Sequence, residues 1–468
     1  MNILLLAPGF SIGERYNYKT KSRKGFQPPL GLGYLAAVLE DVGHQVRIVD
    51  IPAQNLSDTD ILNIALEFQP DVLGLSLLTP AAPRAFELTR FLKEYLPIPF
   101  IFGGPHASAF PQDCLKTGDP RDIVVIGEGE ATLVELLGRL YWRASIADVK
   151  GICYQADGKA VLTPPRPYIE NLDTLPFPAR HLFDMSRFTP LANNYRQLPA
   201  TNMITSRGCP YHCTFCFEGG RGGAHYRRLS PERAMEEVRQ VVEEYGIREI
   251  SFWDDNFVIS KNWILAFCDQ LAKSGLGITW SCFSRVDRVT PELLQAMAKA
   301  GCWNIFYGLE AGCQELLDNI KKGTTLEQNR QAIAWSKNVG IETRASFMLA
   351  LPGETPALGK KTIDFAIEIE PDYAQFSLTA PMPGTELYDT CLKTGRLPRD
   401  FSLFTLWSPT YIPDGYKDAK EVLKLRKSAH RRFYLRPKYI WGRLKRIRNW
   451  QEAKRHLAGL KMVLGMSK

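Results

Sequence analysis

The segment Ser206-Arg207-Gly208-Cys209-Pro210-Tyr211-His212-Cys213-Thr214-Phe215-Cys216 carries three cysteines in the spacing C-x3-C-x2-C. It directly follows a predicted strand at residues 201–205. Three thiolates on one short loop can face a common centre, and thiolates are the ligands that hold iron–sulfur clusters. The spacing therefore favours an iron–sulfur cluster, with a zinc ion or no metal at all as the alternatives. Zinc is less expected than a cluster because a structural zinc site needs four ligands, and His212 lies between two of the cysteines, where its ring and the thiolates would not readily converge.

Downstream of this loop, strand-like and helix-like segments alternate. The predicted strands are residues 201–205, 249–253, 278–283, 304–309, 342–349 and 373–379. Repeated strand–helix units indicate a parallel sheet. We predict a partial (β/α)6 barrel of the TIM type at residues 196–400, two units short of a closed barrel. The functional groups of such barrels lie on the loops that follow the strands.

Upstream of the loop, residues 1–145 also alternate between strand and helix. In apolar runs such as residues 3–7, 72–78 and 100–103, apolar residues follow one another without alternating with polar ones. This pattern is typical of parallel strands buried on both faces. The fold class is therefore α/β, with a doubly wound sheet in this first part and ligands expected beyond the carboxyl ends of its strands. Residues 146–195 follow as a β-hairpin with an Asp157-Gly158 turn and a proline-rich linker.

Composition limits the protein class. The chain has 468 residues, of which 45% are hydrophobic and 23% charged, so disordered and fibrous proteins are excluded. No stretch reaches 18 uncharged apolar residues, and the opening MNILLLAPGF resembles a buried strand more than a signal peptide. We therefore expect a cytoplasmic protein. The seven cysteines outside the loop are expected to be small buried hydrophobic residues.

The C-terminal region, residues 401–468, is expected to be helical and basic. From Lys417 to Lys468 there are 17 lysines and arginines against 3 acidic residues, whereas the preceding chain holds 41 basic and 47 acidic groups. Aromatic residues alternate with these cations, as in RRFYLRPKYIWGRLKRIRNW. Three interpretations of the tail are open. It could be a helix packed on the barrel, an amphipathic helix that binds the anionic inner face of the membrane, or an RNA-binding segment. Of these, nucleic acid is the partner we least expect.

The cysteine loop, with Phe215 before its last cysteine, resembles the cluster loop of the radical S-adenosylmethionine (SAM) superfamily, whose fold is also a partial (β/α)6 barrel. The resemblance implies a [4Fe–4S] cluster on Cys209, Cys213 and Cys216, with SAM chelating the open iron. One electron from an external flavodoxin- or ferredoxin-type donor then cleaves SAM to a 5′-deoxyadenosyl radical, which abstracts hydrogen from the substrate.

The same resemblance implies SAM contacts at the ends of the later strands. The segments that resemble the family are residues 250–257, 280–287, 307–312 and 347–354. The residues expected to bind SAM are Phe215, Arg285, Glu310, Asp254, Ser284 and Arg344; the alternative role for each of the charged residues is a salt bridge at the barrel rim. The family's Gly-Gly-Glu pattern, which binds the SAM amino group, is absent here, so the ligand of that group stays open.

Residues 1–145 resemble the cobalamin-binding domain that precedes the barrel in one large subfamily. The segments that resemble this domain are residues 28–36, 71–76, 103–106 and 127–130. The residues expected to contact cobalamin are Ser76, Thr79, Gly103, Gly104, Glu128 and Gly129. The loop after the first strand, residues 8–13, lacks the histidine that ligates cobalt in some such domains, so base-off cobalamin is implied. Some related proteins keep this fold without cobalamin.

We therefore expect a radical SAM enzyme that uses cobalamin to methylate an unactivated carbon of a lipid, a tetrapyrrole or another natural product. An anaerobic oxidative cyclase without methyl transfer is the alternative, and a non-catalytic sensor of cobalamin or redox state is the alternative of another class. No side chain is assigned as a catalytic acid or base, and the substrate is a small or lipid-like molecule.

Replacement of Cys209, Cys213 or Cys216 by alanine should abolish a stable cluster and SAM cleavage, because each removes one of three thiolate ligands. Cys268→Ala and Cys302→Ala should leave the iron content unchanged and lower stability modestly. Iron analysis and absorption spectra after anaerobic reconstitution check this. Iron at the wild-type level in Cys213→Ala would contradict the assignment.

Overall fold

The structure is a computed structural model that describes residues 1–9, 25–191, 193–217 and 225–445. These residues form two units. The first contains the N-terminal strand, Pro28–Phe188 and Asp400–Ser402. The second contains Thr189–Arg399 and the described chain from Leu403 onward, together with residues 25–27.

The first unit is built on one seven-stranded sheet in the order β2-β1-β3-β4-β5-β6-β7. The strands are β1 Asn2–Ala7, β2 Gln45–Asp50, β3 Val72–Ser76, β4 Phe100–Gly103, β5 Ile123–Val125, β6 Ile152–Ala156 and β7 Lys159–Leu162. The first five strands run parallel, and β6 and β7 form an antiparallel hairpin. We expected this hairpin in a segment of its own, but it extends the sheet: Cys153 of β6 pairs with Val124 of β5 and is buried, so the hairpin covers the edge of β5.

Helices connect the parallel strands of this unit. They are α1 Leu30–Asp41, α2 Ile51–Gln54, α3 Asp58–Phe68, α4 Ala82–Lys93, α5 Pro105–Ala109, α6 Pro111–Cys114 and α7 Glu130–Tyr141. Apolar strand residues such as Leu6, Leu75 and Phe102 are fully buried in one core with residues of α3 and α4. The predicted doubly wound fold is confirmed. The strand order 2-1-3-4-5 places a topological switch point between β1 and β3, which is where such sheets bind ligands.

The second unit is a six-stranded parallel sheet whose strands follow one another in chain order. The strands are β8 Ala200–Met203, β11 Glu249–Phe252, β12 Thr279–Ser284, β13 Cys302–Glu310, β14 Glu342–Leu349 and β15 Tyr373–Leu378. Two short strands, β9 Ser206–Arg207 and β10 Arg227–Arg228, pair antiparallel and close the base of the cysteine loop. The predicted (β/α)6 barrel is confirmed.

The barrel helices pack their apolar faces on the strands. They are α8 Pro231–Tyr245, α9 Lys261–Ser274, α10 Pro291–Lys299, α11 Gln314–Asn319, α12 Leu326–Asn338, α13 Pro356–Ile369 and α14 Glu386–Lys393. Ser230 caps the first turn of α8, and Gly246 ends that helix in the left-handed conformation. Aromatic residues dominate the core on this side: the Phe252 ring stacks on Phe257 at 4.6 Å and meets Trp280 edge-on at 5.6 Å.

The C-terminal region forms two helices on the barrel, α15 Ala419–Tyr434 and α16 Pro437–Leu444, after the short strands β16 Gly395–Arg396 and β17 Ile412–Pro413. Phe433 is fully buried, and the Tyr434 hydroxyl bonds both backbone groups of Ala374 in β15. This half of the basic tail is therefore a packed helix pair. The rest of the tail, residues 446–468, lies outside the described residues.

Several tail cations pair with carboxylates of the barrel. Arg436 and Lys438 both approach Glu370, and Arg443 approaches Asp372 and Glu342. These three of the 17 tail cations counted in the sequence are thus paired with carboxylates within this unit. Among the described residues, the structure contains no helix with both the length and the apolarity needed to cross a membrane.

Candidate functional site

The cysteine loop starts at the carboxyl end of β8 and is held by backbone bonds to two other parts of the barrel. The Thr214 N–H donates to the Ile320 carbonyl at 3.0 Å, and the Leu387 N–H donates to the Thr214 carbonyl at 2.9 Å. Cys209 and Cys213 are buried, and Cys216 is half-buried. The loop is therefore fixed on both sides while its last cysteine stays accessible.

The donor set of the loop is three thiols, and thiolates are the ligands that iron–sulfur clusters take. Among the described residues, no three His, Cys, Asp or Glu side chains are grouped as ligands of one metal ion would be. A four-iron cluster binds each thiolate through a different iron atom, so its ligands need not meet at one point. Burial raises the pKa of the Cys209 thiol, and the Arg285 guanidinium opposes this shift. A thiol must lose its proton to bind metal, so that nearby cation suits a ligand role.

Arg285 connects the end of β12 to the cysteine loop. Its Nη1 lies 3.5 Å from Cys213 Sγ, and the guanidinium carbon lies 3.7 Å from the centroid of the Tyr211 ring. Its Nη2 donates to the Lys322 carbonyl at 2.7 Å, and its Nε donates to Asp287 Oδ1 at 2.9 Å. One buried side chain thus contacts a cluster cysteine, an aromatic ring of the same loop and the turn after α11.

Glu310 lies at the end of β13 and forms a buried ion pair with Lys322, with 2.8 Å between Oε1 and Nζ. The register between β13 and β14 shifts between Gly308 and Glu310, and Glu310 has φ +63°, which is rare for a residue with a side chain. A Cβ on Gly308 would lie 2.4 Å from Glu310 Oε1 and 2.9 Å from Lys322 Nζ. Glycine at this position is therefore what leaves room for the pair.

Lys322 is the site residue that sequence reasoning missed. Its Nζ lies 5.6 Å from the centroid of the Phe215 ring, so it contacts the cysteine loop as well as Glu310. The only signal in the sequence is the polar turn Lys321-Lys322-Gly323-Thr324, which resembles an ordinary exposed loop. Nothing local distinguishes the buried Lys322 from the exposed Lys321.

The structure separates the six predicted SAM residues into two groups. Phe215, Ser284, Arg285 and Glu310 lie around the cysteine loop, and the Ser284 hydroxyl donates to the Arg285 carbonyl at 2.9 Å. Asp254 and Arg344 line a cavity inside the barrel unit, and Asp254 also accepts a bond from the hydroxyl of Ser206, the first residue of the cysteine loop. Asp254 Oδ1 accepts bonds from the N–H and hydroxyl of Thr205 at 3.1 and 2.8 Å, and Arg344 donates to the Asn193 carbonyl at 2.8 Å.

The predicted cobalamin residues lie at the carboxyl ends of β3, β4 and β5. Ser76 ends β3 and Thr79 follows it; Gly103 ends β4; Glu128 and Gly129 precede α7. Gly104 has φ +90°, and a Cβ there would lie 2.9 Å from both backbone N and O of Leu77. A Cβ at Gly127, by contrast, would meet no atom of the described residues within 4 Å. The strand ends thus form a tight turn beside open space, which fits the close approach of a large flat ligand.

Two side chains in this region have structural roles. Glu128 Oε2 accepts a bond from the Ile169 N–H at 3.0 Å. His106 is buried in α5, its N–H donates to the Leu77 carbonyl, and its ring packs against Phe86, Phe110 and Phe401. Burial lowers the pKa of His106, which favours the neutral ring.

Comparison with known proteins identifies both units. Residues 20–137 match the B12 binding domain family, and residues 203–366 match the radical SAM superfamily. An uncharacterized methyltransferase of Pyrococcus horikoshii is 33% identical over 88% of this chain and 89% of that protein. The anaerobic magnesium-protoporphyrin IX monomethyl ester cyclase of Rubrivivax gelatinosus is 30% identical over 94% of this chain and 78% of the cyclase.

Among solved structures, the fold is similar to that of the cobalamin-dependent S-adenosylmethionine radical enzyme OxsB, solved with aqua-cobalamin and S-adenosylmethionine bound. The TM-score is 0.75 at 19% identity, covering 99% of this chain and 71% of OxsB. At this identity, the similarity concerns the fold.

We expect Lys322→Met to lower the free energy of unfolding by about 3 kcal/mol, because it leaves the buried Glu310 carboxylate without its partner. The neighbouring Lys321→Met is the matched control: it removes a surface ion pair with Glu386 and should cost less than about 1 kcal/mol. Urea unfolding followed by circular dichroism measures both. Adding Glu310→Gln should recover part of the loss in the Lys322→Met protein; equal losses for the two lysine variants would contradict the burial argument.

The two matched regions cover both units, and relatives of 30% identity or more span most of the chain. The iron–sulfur prediction is confirmed over the zinc alternative, and the non-catalytic alternative is excluded. The chain belongs to the cobalamin-binding radical SAM enzymes, whose cofactors are a [4Fe–4S] cluster, SAM and cobalamin.

Proposed function

We propose that this enzyme transfers a methyl group from SAM, by way of cobalamin, to an unactivated carbon of a small or lipid-like molecule. The observation that carries the proposal is the conjunction of two sites in one chain: a cysteine loop braced by Arg285, and a cobalamin-type sheet with open space beside Gly127. The 33% identity to a methyltransferase over nearly all of both chains supports methyl transfer. When bound, the cluster and SAM supply a substrate radical, and cobalamin carries the methyl group.

The cluster ligands in this proposal are Cys209, Cys213 and Cys216. Beside them, the Arg285 guanidinium and the Lys322 ammonium suit the carboxylate of SAM, because charge-assisted bonds from planar or point cations to a carboxylate are strong. The Glu310 carboxylate suits a ribose hydroxyl or the amino group. Phe215 and Ser284 would hold the shape of the loop around the same ligand.

On the first unit, we propose cobalamin contacts at Ser76, Thr79, Gly103, Gly104, Glu128 and Gly129. The hydroxyls of Ser76 and Thr79 lie at the switch-point edge of the sheet, where they can bond the nucleotide tail. Because His106 is enclosed by aromatic rings, cobalt would have no ligand from this histidine. We also propose the domain division 1–145, 146–195, 196–400 and 401–468, with the hairpin of the second segment completing the sheet of the first.

An oxidative cyclase is the second candidate, and the 30% identity to the magnesium-protoporphyrin ester cyclase over 94% of this chain favours it specifically. Both reactions need the same cluster ligands and an external one-electron donor of flavodoxin or ferredoxin type. They differ in the fate of the SAM methyl group.

The test of methyl transfer uses protein reconstituted anaerobically with cluster and cobalamin, a reductant, isotope-labelled methyl-SAM and candidate substrates. We expect equal amounts of 5′-deoxyadenosine and S-adenosylhomocysteine, because one SAM supplies the radical and a second supplies the methyl group. The product should carry the label and gain the mass of one methylene group. The same protein with Cys213→Ala is the control and should form no 5′-deoxyadenosine. Product formation with 5′-deoxyadenosine but no S-adenosylhomocysteine would favour the cyclase, and no SAM cleavage by fully loaded protein would refute both.

We further propose that the end of the described tail docks on an anionic membrane surface. Ile440, Trp441 and Leu444 lie on one face of α16 and are all exposed, Trp441 to 61%. Lys445 Nζ lies 5.2 Å from the Trp441 ring, and residues 446–468 add six basic residues against one acidic. An apolar face beside cations is what an interfacial helix needs to bind anionic lipid.

Intact protein should sediment with phosphatidylserine-containing liposomes at low salt, and Trp441→Ala with a chain ending at Lys445 should not. Binding should weaken as salt rises, because the Debye length falls from about 10 Å at 0.1 M to about 3 Å at 1 M. The control is Trp142→Ala, which removes a tryptophan that is 78% exposed on the first unit and should sediment normally. Both helices remain in these proteins, so the packed core is retained; equal sedimentation of all three would contradict membrane docking.

A further inference from the structure

The barrel unit contains a cavity of about 550 Å³ that none of the cluster cysteines lines. Its walls come from β11, β12, β13, β14 and β15, from the segment before β8, and from α15. Cavities of about 300–1,000 Å³ are the size that encloses most of a small organic ligand. The cavity is therefore large enough for a small organic ligand.

The walls are rich in aromatic surface. Phe283 and Phe306 on neighbouring strands meet edge-to-face at 5.2 Å, and both line the cavity. Trp253 is 41% exposed although it also lines the cavity, and its ring is held by a 3.1 Å bond from Nε1 to Ser251 Oγ. Aromatic rings kept at a cavity wall favour a ligand with flat apolar surface, which covers them on binding.

Two polar atoms of the wall lack a hydrogen-bond partner among the described residues, Gln27 Oε1 and Asp254 Oδ2, and only the second belongs to a carboxylate. Asp254 is 2% exposed, and its Oδ1 accepts bonds from the Thr205 N–H, the Thr205 hydroxyl and the Ser206 hydroxyl. Its Oδ2 is buried and has no hydrogen-bond partner among the described residues. A buried carboxylate oxygen without a donor is unfavourable, so the site is one that a donor on a ligand would complete.

The Arg228 guanidinium, which interacts with the Asp254 carboxylate, does not donate a hydrogen bond to its Oδ2. Burial lowers the pKa of the Arg228 guanidinium and the nearby Asp254 carboxylate opposes that shift, so the two charges interact. Yet Arg228 Nη2 donates to Thr205 Oγ1 at 3.2 Å, and its guanidinium carbon lies 3.7 Å from the Trp263 ring centroid. Arg228 thus compensates the charge of Asp254 without bonding its Oδ2.

We propose that this cavity binds the methyl acceptor, that the acceptor is a ring-containing and largely apolar molecule, and that its hydroxyl or amino group donates to Asp254 Oδ2. The proposal rests on the proposed function for the identity of the bound molecule as acceptor. It assigns Asp254 to the substrate and removes it from the predicted SAM contacts. Specificity would come from one hydrogen bond that an analogue without the donor cannot make.

The test uses three naphthalene probes that share one ring system: 2-naphthaleneethanol, its methyl ether, and the corresponding ethylamine. Isothermal titration calorimetry with cluster- and cobalamin-loaded protein, without SAM, measures their affinities. We expect the alcohol and the amine to bind about tenfold more tightly than the ether, because only they donate to the carboxylate. This comparison uses the wild-type protein, so it does not depend on any variant folding. Equal affinities, or no binding, would overturn the proposal.

Two variants locate the effect. Asp254→Asn should lose the preference for the amine, whereas Asp269→Asn, the same change in an exposed carboxylate on α9, should keep it. Phe306→Ala should weaken all three probes because it removes part of the aromatic wall. An unchanged preference in Asp254→Asn, or probes unaffected by Phe306→Ala, would place the binding elsewhere and overturn the assignment.

Failure of this proposal can be distinguished from failure of the proposed function. If the probes do not bind but the wild-type protein forms 5′-deoxyadenosine and S-adenosylhomocysteine, the cavity assignment is wrong and methyl transfer stands. If the probes bind with the expected preference but SAM is not cleaved by loaded protein, the cavity is a ligand site and the proposed reaction is wrong.

Discussion

The Arg285 guanidinium joins parts of the barrel unit that are far apart in the chain: Cys213 and Tyr211 of the cysteine loop, Asp287 after β12, and the Lys322 carbonyl after α11. Arginine can do this because its five N–H donors lie in one rigid plane, whose faces can also stack on an aromatic ring. Lysine in its place would contact one or two of these groups. In addition to the backbone bonds of Thr214, the cysteine loop is thus held by one buried side chain from the end of another strand.

That arrangement places opposite charges close together in a region with little water. The Glu310–Lys322 pair lies beside the Arg285–Asp287 pair, and all four side chains are largely buried. Burying such ions costs several kcal/mol each unless they are paired, so each partner is required by the other. The result is a preorganised set of cations and anions next to the cluster loop. Fixed charges bind a charged ligand without first having to reorganise, which is the physical basis for the SAM contacts that we propose here.

In the basic tail, the number of charged residues in the sequence does not by itself give the charge of the folded surface. Counted along the chain, the tail is strongly cationic, but in the structure Arg436, Lys438 and Arg443 lie beside Glu370, Asp372 and Glu342 of the barrel. Those carboxylates belong to segments that the sequence shows only as part of a mildly acidic body. The exposed apolar face of α16 lies beside Lys445, and the sequence beyond it adds further basic residues.

The α/β architecture and the cluster ligands were predictable from sequence because both are local signals. Apolar runs and helical periodicity specify strands and helices within a few residues, and the three cysteines lie on a single loop.

The antiparallel extension of the first sheet was not predictable, because the pairing of Cys153 with Val124 is a contact between distant segments. Lys322 could not be told from Lys321, since its burial results from a strand irregularity near Gly308 and from the Phe215 ring above it. Likewise, the sequence did not show that Asp254 and Arg344 line the cavity whereas Arg285 and Glu310 do not. Sequence thus determined which residue types follow each strand, and the tertiary structure decided which of them meet, because side-chain direction and burial depend on strand register and on neighbours from other elements.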